Sequence, residues 1–531
     1  MITGAGTLVR LALRRDRVRL IAWGLGFLLT MWFSVAAVID AYSGPGALGA
    51  RAALAHSPGT VVIAGPLFGA DEPSIGPVVA NELTTMLLVV IAVISVLCAV
   101  RHTRADEEAG RTELVRAQVT ARRAPAVAAL VAVATLDLVV SATVVIALVG
   151  NDLPVADSVA LGVSCLLTGF LFGAVAAVTA QLAPSARGAS ALALGVAGSA
   201  FAVRAVGDML EPATGSWLSW LSPLAWGQQT RAFADLRWWP LALTVVATVV
   251  ALAVAAVLSE RRDLGSGLLP SRGGPGSAEA SLLGTGGLAR RLLRPSFLSW
   301  GTGIVLTAAL TGSMARSVED MLADSPDMAA WIGVSSHDLV ASFSTYLLGF
   351  LVVMTTAFAV SAVLVLRAEE RSGRAELVLV SGVPRTRWVG VWITVVAVEA
   401  AVILLVASLA MGVCTAVATG EWHWVGDLLV AGLVNLPGAL VAPALAAALV
   451  AWLPRWAPLA WVLMGWSAFV LLLGPVLGLP GWVGDLSPLE LTPKLPEADF
   501  HVTPVLVLTL VVVVLVLLVR PGTARRDLLT A

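Results

Sequence analysis

Lysine is almost missing from this 531-residue chain: Lys494 stands alone against 32 arginines. That absence excludes one activity. A phosphate-binding loop of the form Gly-x-x-x-x-Gly-Lys-Ser/Thr needs a lysine, and the one available sits in Thr492-Pro-Lys-Leu495. If ATP drives anything here, its hydrolysis is expected on another polypeptide. The excess of arginine otherwise suggests GC-rich coding rather than chemistry. Three cysteines, Cys98, Cys165 and Cys414, all fall inside apolar runs, so neither a disulfide framework nor a thiolate metal site is expected. The five histidines (His56, His102, His337, His423, His501) are scattered, no pair of them at ligand spacing, and no metal is expected. No nucleophile elbow is present, and no loop gathers an acid, base or metal cluster, which disfavours a membrane enzyme. Charge is scarce too, at 13% of residues with a net charge of -1.

What the chain has is apolar length. Hydrophobic residues make up 58% and the mean hydropathy is +0.91, far from soluble globular norms. Runs of about twenty apolar residues, each enough for a bilayer core of about 30 Å, recur throughout. The expected spans are 18–39, 83–100, 125–149, 157–182, 189–206 and 239–259, then 296–315, 344–366, 389–418, 428–452, 458–478 and 503–519. The expectation is an all-α polytopic membrane protein of twelve transmembrane helices. The first run, Val18 to Ile39, is too long for a cleavable signal and leads to no small-residue cleavage site. Residues 1–17, with Leu8, Leu11 and Leu13 among Arg10, Arg14, Arg15 and Arg17, fit an amphipathic helix on the membrane surface.

Arginine placement orients the spans. With both termini in the cytosol, 27 of the 33 basic residues fall in cytosolic segments, as the positive-inside rule requires. Residues 265–287, rich in Gly, Ser and Pro, read as a flexible linker between halves 1–264 and 288–531. The halves repeat. Arg261-Arg-Asp-Leu264 returns as Arg525-Arg-Asp-Leu528, Leu221-Ser-Pro-Leu224 as Leu486-Ser-Pro-Leu489, and Trp23-Gly24 as Trp300-Gly301. This predicts two six-helix halves in parallel topology about a pseudo-two-fold axis along the membrane normal. The loops 40–82 and 316–343, and the tryptophan-rich segments 207–238 and 479–502, fall outside; the latter suit the outer interface or short re-entrant pieces.

The strongest repeat is charged. Arg104-Ala-Asp-Glu-Glu-Ala-Gly-Arg-Thr-Glu-Leu-Val115 returns 263 positions later as Arg367-Ala-Glu-Glu-Arg-Ser-Gly-Arg-Ala-Glu-Leu-Val378, with eight of twelve positions identical. Thr103 with Asp106 resembles a capping box. Glu107–Arg111 and Glu370–Arg374 have the i,i+4 spacing of helical ion pairs. The pattern predicts a short amphipathic helix in each copy that presents acids to a partner or neighbouring helix. A bland loop that only fixes topology would need the arginines, but not a repeated glycine and three repeated acids. The residues carrying this reading are Asp106, Glu107, Gly110, Arg111 and Glu113, with Glu369, Glu370, Gly373, Arg374 and Glu376.

Inside the spans, Asp137 and Glu399 sit at almost equivalent repeat positions. A mid-membrane carboxylate costs about 2.5–3.5 kcal/mol on insertion scales. Each is either an acid lining a central pathway or a hydrogen-bonded packing residue. Arg204 and Asn435 are further pathway candidates, although Arg204 could snorkel. Pro437-Gly438 and Pro443 read as local adjustments within span ten. Few fixed charges in apolar spans point to amphipathic, lipid-soluble cargo leaving through a cleft between the halves.

Taken together, Glu107-Glu-Ala-Gly-Arg-Thr-Glu-Leu114 and Glu370-Arg-Ser-Gly-Arg-Ala-Glu-Leu377 resemble the coupling helices of type-2 ABC exporter permeases, specifically the actinobacterial exporters of polyketide antibiotics of the tetronasin-transport kind. The resemblance covers nearly the whole chain. It implies a permease subunit in the bacterial cytoplasmic membrane, with coupling helices over about 103–117 and 367–380. They would dock two copies of a separate ATP-binding subunit that holds the ATP and magnesium. It implies connecting helices over 1–17 and 288–295, and external re-entrant helices at the Ser-Pro-Leu landmarks. Partners would be the lipid bilayer and a hydrophobic small molecule, with no nucleic acid and no cofactor in this chain. Arg371 stands where the first copy has Glu108, so the docking surfaces need not match. The rival is a secondary transporter of the major facilitator kind, which shares twelve spans and a charged loop after spans two and eight. Here acid stands where that family places its first arginine.

Overall fold

The computed structural model describes residues 3–44, 46–53, 58–71, 73–263, 265–269, 276–277, 279–316, 339–477 and 481–526. His56, His337, most of the loop 316–343, part of the linker, and Leu264, Asp527 and Leu528 of the terminal repeats lie outside them. The described elements are all helical. They fall in two compact units, Met1–Gly274 and Pro275–Ala531.

The first unit comprises α1 (Ala5–Ala41), α2 (Ala47–Ala53), α3 (Pro58–Ala64), α4 (Ile75–His102), α5 (Arg104–Glu108), α6 (Arg111–Arg116), α7 (Ala124–Gly150), α8 (Val155–Leu182), α9 (Ala186–Leu210), α10 (Pro223–Gln228) and α11 (Pro240–Glu260). The separate surface helix expected over residues 1–17 does not form as such. It is the first part of α1, a rod of 37 residues, about 55 Å at 1.5 Å per residue. No proline interrupts this stretch, and the basic turns run directly into the apolar ones. α1 lies along α7, where Gly24 lets the backbones approach; a Cβ there would stand 3.0 Å from Val139. The core joins α4, α7 and α8 around Leu88, Ile91, Val133, Val140 and Phe172. Gly173 gives room to Val133, the small-residue packing that membrane helices use where water cannot drive them together.

The second unit comprises α12 (Thr285–Ser313), α13 (Leu339–Arg371), α14 (Arg374–Val380), α15 (Arg385–Thr419), α16 (His423–Trp452), α17 (Ala460–Leu477), α18 (Gly481–Gly484) and α19 (Val502–Arg525). Its core is built on α13, α15 and α16, with Phe358, Leu366 and Leu404 buried. Trp392 is fully buried, its indole N–H donating to the Ala362 carbonyl at 3.0 Å. α16 runs unbroken through Pro437 and Pro443. Gly438 beside the first proline makes room for Thr492 and the Pro488 carbonyl, so the Pro-Gly pair admits the segment carrying the second Ser-Pro-Leu landmark. Both landmark serines are buried and cap backbone: Ser222 accepts from the Leu224 N–H, and Ser487 from that of Glu490, each at 3.3 Å.

Among the described residues, ten helices are long and apolar enough to cross a membrane, so the chain is a multi-pass membrane protein. The expected twelve included α12 and α17, which are not among the ten. Serine, threonine and glycine dilute the apolar part of α12 beyond its arginines. α17 has 18 uncharged, mostly apolar residues, about 27 Å and within the range that spans a bilayer core, and several of its side chains lie outside the described residues.

Candidate functional site

The charged stretch does not fold as one helix. Thr103 leaves helical geometry (φ -117°, ψ -90°) and its hydroxyl donates back to the Ala99 carbonyl at 2.6 Å. The capping box with Asp106 is therefore not made. α5 follows for barely more than one turn, Gly110 takes φ +71°, and α6 starts again at Arg111. In the second copy α13 continues without interruption to Arg371, Gly373 takes φ +72°, and α14 begins at Arg374. This left-handed conformation is open to glycine and costs other L-residues, which accounts for a glycine in both copies.

The break re-pairs the charges. The expected i,i+4 pairs, Glu107–Arg111 and Glu370–Arg374, are absent from both copies. Arg111 turns back across the glycine to Asp106 (2.8 Å), and Arg374 does the same to Glu369 (2.7 Å), each five residues away. Glu107 is left free to accept from Arg262 (2.7 Å) and from the Gly265 N–H (2.7 Å), with Arg104 at 3.1 Å. Glu370 in turn pairs with Arg526. Both acids are only 8% exposed. They do not present charge outward; they fasten the stretch to the end of the last long helix of their own unit. Glu113 is exposed and Glu376 half-buried, without ion-pair partners among the described residues. Facing outward instead are Leu114, 73% exposed, and Leu377, 77% exposed, at matching positions of the two copies.

Several partners escaped sequence reasoning. Arg262 and Arg526 belong to the repeated Arg-Arg-Asp-Leu landmarks, whose recurrence was visible although their contacts were not. Arg15 of α1 reaches Asp106 at 3.0 Å and His102 at 2.8 Å. Arg104 is buried, donating to the carbonyls of Pro184 (2.6 Å) and Ser266 (2.9 Å). The two copies also differ. Glu108 accepts from the Ala186 N–H at 2.9 Å at the start of α9, whereas Arg371 is exposed and unpaired among the described residues.

The four intramembrane candidates are not brought together as one cluster. Asp137 is fully buried and accepts from Ser95 at 2.5 Å, beside Gly169 of α8. Arg204 is fully buried, donating to Thr85 (3.3 Å) and the Val62 carbonyl, with Asp208 at 3.4 Å. Asn435 donates to Ala431 and accepts from Thr492 at 3.0 Å. Glu399 alone lines a large groove, between α12 and α15. One group of possible metal ligands, Asp16 of α1 with Cys98 and His102 of α4, gathers with its donor atoms within 4.8 Å of one another. Asp16 already holds Arg101 and His102, and Arg15 faces the other ring nitrogen. Two guanidiniums at that distance oppose a cation, so the group reads as an ion-pair cluster.

Residues 282–519 match the family described as "Multidrug efflux system permease Rv1217c, C-terminal domain". Over 537 aligned residues the chain is 36% identical to the multidrug efflux system permease protein Rv1217c of Mycobacterium tuberculosis (strain ATCC 25618 / H37Rv), covering 99% of this chain and 95% of that protein. With the apolar helices and the duplicated charged stretch, this likeness along the whole length settles the family: the chain belongs to that of the multidrug efflux system permease Rv1217c, an ABC-type exporter permease family.

Proposed function

We propose that this chain is the membrane subunit of an ATP-driven exporter that moves amphipathic or hydrophobic small molecules out of the cell. Family membership favours this reading over the major facilitator rival. In it the chain crosses the cytoplasmic membrane twelve times in two parallel six-helix halves, with both termini cytosolic. ATP and magnesium are held by two copies of a separate ATP-binding subunit. The observation that carries the reading is the recurrent geometry of the charged stretch. In each copy a buried carboxylate anchors the stretch to its own half through a distant arginine, and an exposed leucine lies one turn past a positive-φ glycine. A rigidly held apolar knob at the cytosolic surface suits a docking element that passes on motion. The differing surroundings of Glu108 and Arg371 support two sockets that are not equivalent. Asp137, Arg204 and Asn435 have partners inside their own units and serve packing in this reading, while Glu399 keeps a place beside a pathway. The test is affinity purification of the tagged chain from its native membrane. An ATPase is expected at two copies per chain, with transport in vesicles that requires ATP. Transport sustained by an ion gradient alone would overturn the proposal.

A further inference from the structure

The groove between α12 and α15 encloses about 1090 Å³, as large as the biggest ordinary ligand pockets, and all its lining residues belong to the second unit. At one end stand Arg290, Arg291 and Arg294. At spacings of three and four residues they share one face of α12. All three are exposed and lack an ion-pair or hydrogen-bond partner among the described residues. The helices run parallel in register, with Gly286 against Val391 and Gly301 against Ile403. Glu399 therefore stands level with about Ser296, roughly half a helical turn beyond Arg294. Its carboxylate is nine-tenths buried, and Oε2 has no partner. Pro295, inside α12, has no N–H to give the Arg291 carbonyl, which leaves a second acceptor on the same wall. Glu279 and Thr394 also line the groove, and the remaining walls are apolar, with Phe297, Val398 and Val402 among them.

We propose that this groove binds a phosphate-headed amphiphile from the leaflet at the arginine-bearing end of α12, its phosphate on Arg290, Arg291 and Arg294 and a backbone hydroxyl donating to Glu399. The three guanidiniums outnumber the two carboxylates of the groove, Glu279 and Glu399, so they repel one another unless a further anion joins them, and phosphate matches the guanidinium fork. A carboxylate deeper along the groove than Arg294, with an unpartnered oxygen, calls for a hydrogen-bond donor at that depth. A single-chain lipid phosphate with a free glycerol hydroxyl carries the two groups in that order. The equivalent place in the first unit differs. The corresponding space along α1 and α7 is about 270 Å³, Leu136 takes the place of Glu399, and Asp16 neutralises Arg101. The inference needs the chain to span a membrane and does not need it to export drugs. The experiment therefore reads binding and not transport.

The full chain in phosphatidylcholine nanodiscs should retain labelled lysophosphatidic acid saturably at one molecule per chain. Lysophosphatidylcholine and inorganic phosphate should compete poorly. The triple change Arg290→Gln, Arg291→Gln, Arg294→Gln should weaken retention about tenfold or more. The control triple Arg10→Gln, Arg14→Gln, Arg17→Gln should leave it unchanged. Glu399→Leu should remove the preference for lysophosphatidic acid over its 2-deoxy analogue while binding persists. Unsaturable binding, an equal effect of both triples, or equal competition by lysophosphatidylcholine would reduce the arginines to general surface charge. Competition by inorganic phosphate at matching concentration would sink the amphiphile. An undiminished preference in Glu399→Leu would remove the carboxylate from the site.

Discussion

Glu107 and Glu370 close on arginines 155 and 156 positions away, and removing one partner of such a pair leaves the other charge in a poorly solvated place. Breaking a fully buried pair costs about 3–5 kcal/mol; some solvent reaches these, so the loss is expected to be smaller. Glu107→Arg and Arg262→Glu should each reduce drug-stimulated ATPase activity of the reconstituted complex, with the yield of inserted protein maintained. The double swap should recover much of the loss, corresponding to a coupling energy of about 1–3 kcal/mol. A double variant no better than its worse single would show that the pair does not act as a unit. The acids and glycines of this site were legible in the sequence because the stretch is written twice. The pairing was not, since nothing in a linear repeat says that its charged island touches its Arg-Arg-Asp-Leu end. The intramembrane acids part company for a subtler reason. The stretch repeats at 263 residues while Asp137 and Glu399 are 262 apart. One residue is about 100° of helix, enough to turn Asp137 onto Ser95 and Glu399 into the α12 groove.

At the scale of elements, span positions followed from apolar length, because a helix is the way a single segment satisfies its backbone in lipid. Boundaries and breaks followed less well. Residues 1–17 and the first span were read apart on composition, yet no proline or other breaker separates them and they form one rod. In the charged stretch the amphipathic pattern concealed the break that the glycine makes. Gly110 and Gly373 leave open space around any added Cβ, so substitution there tests conformation free of steric clash. Gly373→Ala should cost about 1–2 kcal/mol locally and loosen α14 against α13. Stimulated ATPase activity should fall, with little change in the thermal stability of the membrane unit. Gly373→Asn, which tolerates positive φ better, should lie between alanine and wild type. Equal activity in all three would mean that the left-handed turn carries nothing to the ATPase.

For the molecule as a whole, duplication supplies two copies of one device, each anchored within its own half. The exposed residue common to both is a leucine, and burying it fully against a partner contributes about 1.5–3 kcal/mol. If the two copies are separate sockets, Leu114→Asp should leave a complex with one ATPase, and so should Leu377→Asp, while the double variant should carry none. The mass of the purified complex reads this directly. The two single variants should also differ in the affinity that remains, because Glu108 is spent on the start of α9 whereas Arg371 is free to meet an acid on its partner. A double variant that still holds two ATPase copies would move the docking surface away from these stretches, and the anchoring of Glu107 and Glu370 would then be a matter of folding alone.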